Sequence, residues 1–151
     1  MNQEVIIMSR QHLTGDVHVL LKRDNTILLL KRANTGYEDG KYHLPAGHKE
    51  AGETVSNATV REMKEEIGID INPNDLKLVH VMHHLSNNER IGFFFEATHF
   101  SGEPVNMEPN KCSELFWADI HHLPENMVPY AKEAILKSLA GDVYSEFGWN
   151  K

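Results

Sequence analysis

A single cysteine, Cys112, is all the thiol chemistry this chain holds. That excludes an intrachain disulfide framework and any Cys-rich zinc module. No stretch approaches the ~18 apolar residues that span a bilayer, and the one apolar run near the N-terminus, Val5–Met8, is too short for a signal-peptide core. A soluble cytoplasmic protein without membrane contact is expected. Positive charge is also scarce: 15 Lys and Arg face 22 Asp and Glu, a net charge of −7 with histidine neutral. The deficit argues against a sequence-independent grip on a nucleic-acid polymer, which needs many phosphate-neutralising cations, and against docking on anionic lipid. It leaves room for a small phosphorylated ligand, because a bound divalent ion reverses the sign locally.

What is present is globular. With 151 residues, 40% hydrophobic and 25% charged, the chain reads as one domain over residues 1–151, free of repeats and linkers. Asp16–Leu21 and Thr26–Arg32 are β-rich runs joined by the turn Lys22–Asn25. Asn34–Lys41 is a polar loop, and Tyr42–Leu44 is a brief strand. A helix is expected from Glu53 or Thr54 to Ile67, with Thr54 as N-cap and Gly68 just past its end. Asp70–Asp75 is turn chemistry. Leu76–Leu85 and Arg90–Phe100 read as strands joined by Ser86–Glu89, Glu114–Asp119 as a last short strand, and Pro129–Ala140 as a second helix stopped by Gly141. Strands and helices mix without a regular βαβ alternation, which points to an α+β or layered αβα domain.

The first helix carries the most information. At about 100° per residue, Glu62, Glu65 and Glu66 share an arc of about 100°, beside an apolar stripe of Val60, Met63 and Ile67. Like charges one turn apart destabilise a helix by a few tenths of a kcal/mol per pair, and Arg61, one turn before Glu65, offsets part of this. A solvated acidic face is the plain alternative. Against it, clustered hard oxygens are what Mg²⁺ or Mn²⁺ requires. The preceding segment, Leu44–Glu53, also has two glycines that allow close backbone approach to a ligand.

Gly47, five residues, Glu53, seven residues, then Arg61-Glu62-Met63-Lys64-Glu65-Glu66-Ile67-Gly68-Ile69 resembles the Nudix box throughout. Seven fixed identities at about one in fifteen each give odds on the order of 10⁻⁸ per starting position, too small for a chance match. The resemblance, MutT-like in kind, implies an αβα sandwich with a mixed β-sheet and a loop–helix–loop metal site. It also implies hydrolysis of a nucleoside diphosphate linked to another group. Carried over by position, it makes Glu62, Glu65 and Glu66 metal-facing carboxylates. It pairs Arg61 with Glu53 across loop and helix, and points to a backbone carbonyl at Ala46 or Gly47 as a further ligand. Ala46 stands where the family usually has glycine. Downstream, Gly102–Glu108 resembles a loop of MutT-type members whose last glutamate approaches the metal, which makes Glu108 an additional ligand or the general base. Arg32 sits where relatives often place a phosphate-contacting arginine, and His48, inside the box loop, could touch substrate.

Other signals are set aside. Gly36–Tyr42 lacks the spacing and the Ser or Thr of a P-loop, and Asp70–Asp75 lacks the glycine of a calcium loop. Of the ten histidines, His83-His84 and His121-His122 are adjacent pairs with no zinc-protease spacing. Strand alternation puts His80 and His84 on one face and His83 on the other. Structural or surface roles are expected for them, and an inert thiol for Cys112. The resulting expectation is a Mg²⁺-dependent (or Mn²⁺-dependent) pyrophosphohydrolase of a small nucleotide, foremost a nucleoside triphosphate cleaved to monophosphate and pyrophosphate. The alternatives are a nucleotide sugar, a CDP-alcohol, ADP-ribose or a capped RNA end as substrate, or a nucleotide sensor without turnover. An exposed strand could pair across a homodimer.

Overall fold

The computed structural model describes residues 10–86 and 88–149. The Val5–Met8 run and Asn87 of the expected turn lie outside them. The elements in chain order are β1 (Thr14–Arg23), β2 (Thr26–Arg32), β3 (Tyr42–His43), β4 (Ala46–His48), α1 (Val55–Ile67), β5 (Lys77–Leu85), β6 (Glu89–Ala97), β7 (Cys112–Asp119), α2 (Pro129–Leu139) and β8 (Tyr144–Phe147). A 3₁₀ turn, Pro73–Asp75, precedes β5.

The strands run β3-β2-β1-β6-β5-β8, with β4 beside β1 and β7 beside β2. Pairing is mixed: β1/β6 and β5/β8 are parallel, while β1/β4, β5/β6 and β2/β7 are antiparallel. One strand does two jobs on one side. Asp16–His18 of β1 pair with β4, whereas Lys22 and Arg23 pair with β2. The switch splays the sheet into a wedge between β1 and β2, bridged by the Val19 amide donating to the Pro45 carbonyl at 3.0 Å.

β1 and β2 are apolar without a polar face because both of their sides are covered. Alternation sends Leu20, Ile27 and Leu29 into a cluster with Met82, Phe94 and the α2 residues Ala131, Ala134 and Ile135. It sends Val19, Leu21, Leu28 and Leu30 to the other side, against Met63 and Ile67 of α1. Burying each such large side chain is worth about 1.5–3 kcal/mol, so α1 is held to the sheet by the stripe next to its glutamates. Its ends are capped as the sequence suggests. Thr54 accepts from the Asn57 amide at 3.0 Å, and Gly68 closes the helix in the left-handed region (φ 71).

Two strands escape the sequence pattern. Ala46–His48, expected as loop, forms β4 because β1 offers it an unpaired edge. Tyr144–Phe147 forms β8, a four-residue parallel strand at the far edge, beside β5.

Candidate functional site

A cleft of about 670 Å³ opens where the sheet splays, and α1, β4 and the loop before β7 form one wall of it. Arg61 organises that wall. Its guanidinium forks onto Glu53 (2.7 and 3.0 Å), donates to the His48 carbonyl (3.0 Å), and reaches Glu62 (3.1 Å) and Glu65 (3.2 Å). The fork holds Glu53 ionised, down to about 2, helped by the Glu50 amide. The box loop is thereby pinned to the helix one turn from the acids.

Glu62, Glu65 and Glu66 all line the cleft, joined by Glu108. The route by which Glu108 arrives is specific. The last carbonyls of a helix lack intrahelical partners, and here the 102–108 loop supplies them. Met107 N–H donates to the Glu66 carbonyl (3.1 Å) and Val105 N–H to that of Ile67 (3.0 Å). Asn106 then fixes the turn, accepting from the Glu108 amide and donating to the Cys112 carbonyl. Burial pushes the Glu66 carboxyl up to about 8, with the neighbouring charges of Glu108 and Glu62 adding to it, although the Ala46 amide donates to it at 2.9 Å. Burial also raises Glu62, against the pull of Arg61.

Cations also line the cleft: Arg32, Lys31, Arg90 and Lys111, the last on the same loop as Glu108. Arg32 donates to the Tyr37 carbonyl (2.7 Å) and to Thr35 Oγ1 (3.0 Å), so its head is fixed at the end of β2. Arg90 reaches both oxygens of buried Asp16 at 3.1 Å, and His48 Nδ1 lies 2.7 Å from the same carboxylate. The deep wall is uncharged. His18, His43, His84 and Tyr130 are all buried there.

The structure thus gathers Arg61, Glu53, Glu62, Glu65, Glu66, Glu108, Ala46, Gly47, Arg32 and His48 around one cleft or directly behind it. Asp16, Arg90, Lys111 and the His–Tyr wall have no counterpart among the sequence expectations. They come from β1, β3, β5, β6, the loop before β7 and α2, and no local spacing ties them together. Cys112 is buried and its thiol raised by burial, an inert environment. His80 and His84 share the buried face of β5 and His83 lies on the other. A second cleft, about 750 Å³, shares no residue with the first. Its Arg23 is taken up by Glu103 and by the Trp117 ring at 4.4 Å.

The acidic wall suits a hard divalent cation. Its donors are carboxylate oxygens, and a cation among Glu62, Glu66 and Glu108 would relieve the like-charge crowding on Glu66. Gly47 leaves the necessary room, because a Cβ there would overlap the Glu62 carboxylate. Among the described residues no three acidic, histidine or cysteine side chains already converge as a closed ligand set. The acids line the cleft instead, with Arg61 holding oxygens of Glu62 and Glu65.

Residues 12–138 match the NUDIX domain family. The chain is 35% identical over 121 residues to an ADP-ribose pyrophosphatase of Methanocaldococcus jannaschii, a match covering 78% of this chain and 68% of that one. It is 27% identical to the 8-oxo-dGTP diphosphatase of Escherichia coli, over 82% of this chain and 92% of that one. It spans only 27% and 38% of the length of two further relatives it matches. Among solved structures, a MutT NUDIX hydrolase from Burkholderia pseudomallei superposes with a TM-score of 0.76 at 29% identity, covering 83% of this chain and 98% of that one.

Proposed function

This chain belongs to the NUDIX domain family, and on that premise we propose that it hydrolyses the diphosphate linkage of a nucleoside diphosphate derivative. The arrangement that carries this reading is one cleft lined both by the carboxylates of Glu62, Glu65, Glu66 and Glu108 and by the cations Arg32, Arg90 and Lys111. Mg²⁺ or Mn²⁺ would be held by the four glutamates and a backbone carbonyl of Ala46 or Gly47. When bound, such an ion neutralises phosphate oxygens and acidifies a water. Arg61 and Glu53 keep the box loop seated on α1, so the acids stay in register with β4. Glu108, delivered on its own loop, would orient or deprotonate the water. Arg32 contacts a phosphate, and His48, on β4, touches the substrate.

The foremost substrate is a nucleoside triphosphate, giving the monophosphate and pyrophosphate. The likeness to the 8-oxo-dGTP diphosphatase along nearly that enzyme's whole length supports this. ADP-ribose is the second reading, favoured by the 35% identical archaeal relative. The deciding experiment offers a panel of nucleoside triphosphates, ADP-ribose, nucleotide sugars and CDP-alcohols to wild type and Glu65→Gln, with and without Mg²⁺, and resolves the products by chromatography. Metal-dependent cleavage reduced about 100-fold or more in the variant is expected. The Glu65 side chain is 55% exposed, so its folding should be unchanged. Normal Mg²⁺-dependent turnover by Glu65→Gln would overturn the assignment, and tight nucleotide binding without turnover would make the domain a sensor.

A further inference from the structure

The uncharged deep wall of the cleft has a determinate hydrogen-bond polarity. His18 Nδ1 lies 3.3 Å from the Phe93 carbonyl, and a carbonyl can only accept, so Nδ1 carries the proton. Burial keeps His18 neutral, which leaves its Nε2 bare. That nitrogen is 2.9 Å from the Tyr130 hydroxyl, so the hydroxyl donates its one proton to His18. The Tyr130 oxygen is 3.2 Å from His43 Nε2, and with its proton committed it must accept there. His43 is therefore protonated on Nε2. It too is held neutral by burial, and its Nδ1 is a bare acceptor.

That Nδ1 is buried without a hydrogen-bond partner, as is Nε2 of His84, whose ring lies flat on Tyr130 at 4.2 Å. Buried polar atoms are nearly always satisfied, and both residues line the cleft. The charged walls beside them suit a diphosphate. A neutral, acceptor-bearing wall suits what the diphosphate is attached to. We propose that His43 Nδ1 accepts a hydrogen bond from an N–H or O–H group of the uncharged nucleoside part of the substrate, making His43 a specificity-determining residue. The inference rests on the reading of this cleft as a nucleotide hydrolase site. The shared chemistry is a donor on a neutral group, either an amino-bearing base or a ribose hydroxyl.

The test uses ¹⁵N-histidine-labelled protein without divalent metal, titrated with the four common nucleosides and with purine riboside, which lacks the amino group. The His43 Nδ1 resonance should move from its bare-nitrogen position toward the hydrogen-bonded range. Movement with any of the four common nucleosides but not with purine riboside, whose base has no N–H donor, assigns the base, and movement with all of them, purine riboside included, assigns the ribose. Glutamine at 43 keeps an amide where Nε2 stood, able to bond Tyr130, and deletes the acceptor at the δ position. His43→Gln should weaken nucleoside binding about tenfold, while His43→Asn, with an amide at the δ position, should recover part of it. If the wild type hydrolyses nucleotides but no nucleoside moves the His43 signal and His43→Gln binds as well as wild type, this inference falls and the hydrolase reading stands. If nucleosides move the signal while no nucleotide is cleaved, the hydrolase reading falls and the contact stands. If neither occurs, both fall.

Discussion

His43→Gln also tests how far burial keeps the histidine wall neutral. His43 is held down to about 3, by burial first and then by the charges of Arg32 and His84. In the unfolded chain its value is about 6.5. Between those values the unfolded state binds the extra proton, so His43 contributes stability that is fully present above pH 6.5 and is lost as pH falls toward 3. At pH 7.5 the effect is near zero. At pH 5 the unfolded form is favoured by RT ln(1 + 10^1.5), about 2 kcal/mol. Other groups titrate in the same window. Glu66, raised to about 8, has the opposite sign and gains stability as pH falls, so the wild-type curve alone does not isolate His43. The difference between wild type and variant does, because groups common to both largely cancel. Urea unfolding at pH 7.5 and pH 5 should show the stability of wild type relative to His43→Gln decreasing by about 2 kcal/mol at the lower pH. A difference that changes by less than about 0.5 kcal/mol would mean that folded His43 titrates like a free imidazole, and the reasoning from burial would be refuted.

Gly47→Ala separates activity from stability. The new Cβ meets the Glu62 carboxylate, the far end of a flexible side chain that can swing away. Thermal stability should fall by less than about 1 kcal/mol, while metal-dependent turnover drops about 100-fold because one acid is displaced. Equal losses in both would place Gly47 in the core instead. Thr54→Ala removes the α1 N-cap bond and should cost about 1 kcal/mol by denaturant titration, with nucleotide turnover per folded molecule unchanged.

The first helix and its chemistry are legible in the amino-acid sequence because they are local. A cap, a stripe and a carboxylate arc are all set by the 3.6-residue period, and α1 runs Val55–Ile67 between Thr54 and Gly68 as its end signals require. The apolar runs of β1 and β2 are equally plain. β4 and β8 are not, since each is a strand only because a neighbour offers an open edge.

Local spacing along the chain is enough for the acidic helix, its caps and the one-turn reach of Arg61 to Glu65, while the pairing of Arg61 with Glu53 comes from the resemblance to the Nudix box. What faces those acids is settled by tertiary packing alone. His18 meets Tyr130 across 112 positions, Tyr130 meets His43 across 87, and Arg90 meets Asp16 across 74. Contacts at that range depend on strand order and register, which come from packing both faces of the sheet at once, and no local periodicity encodes them.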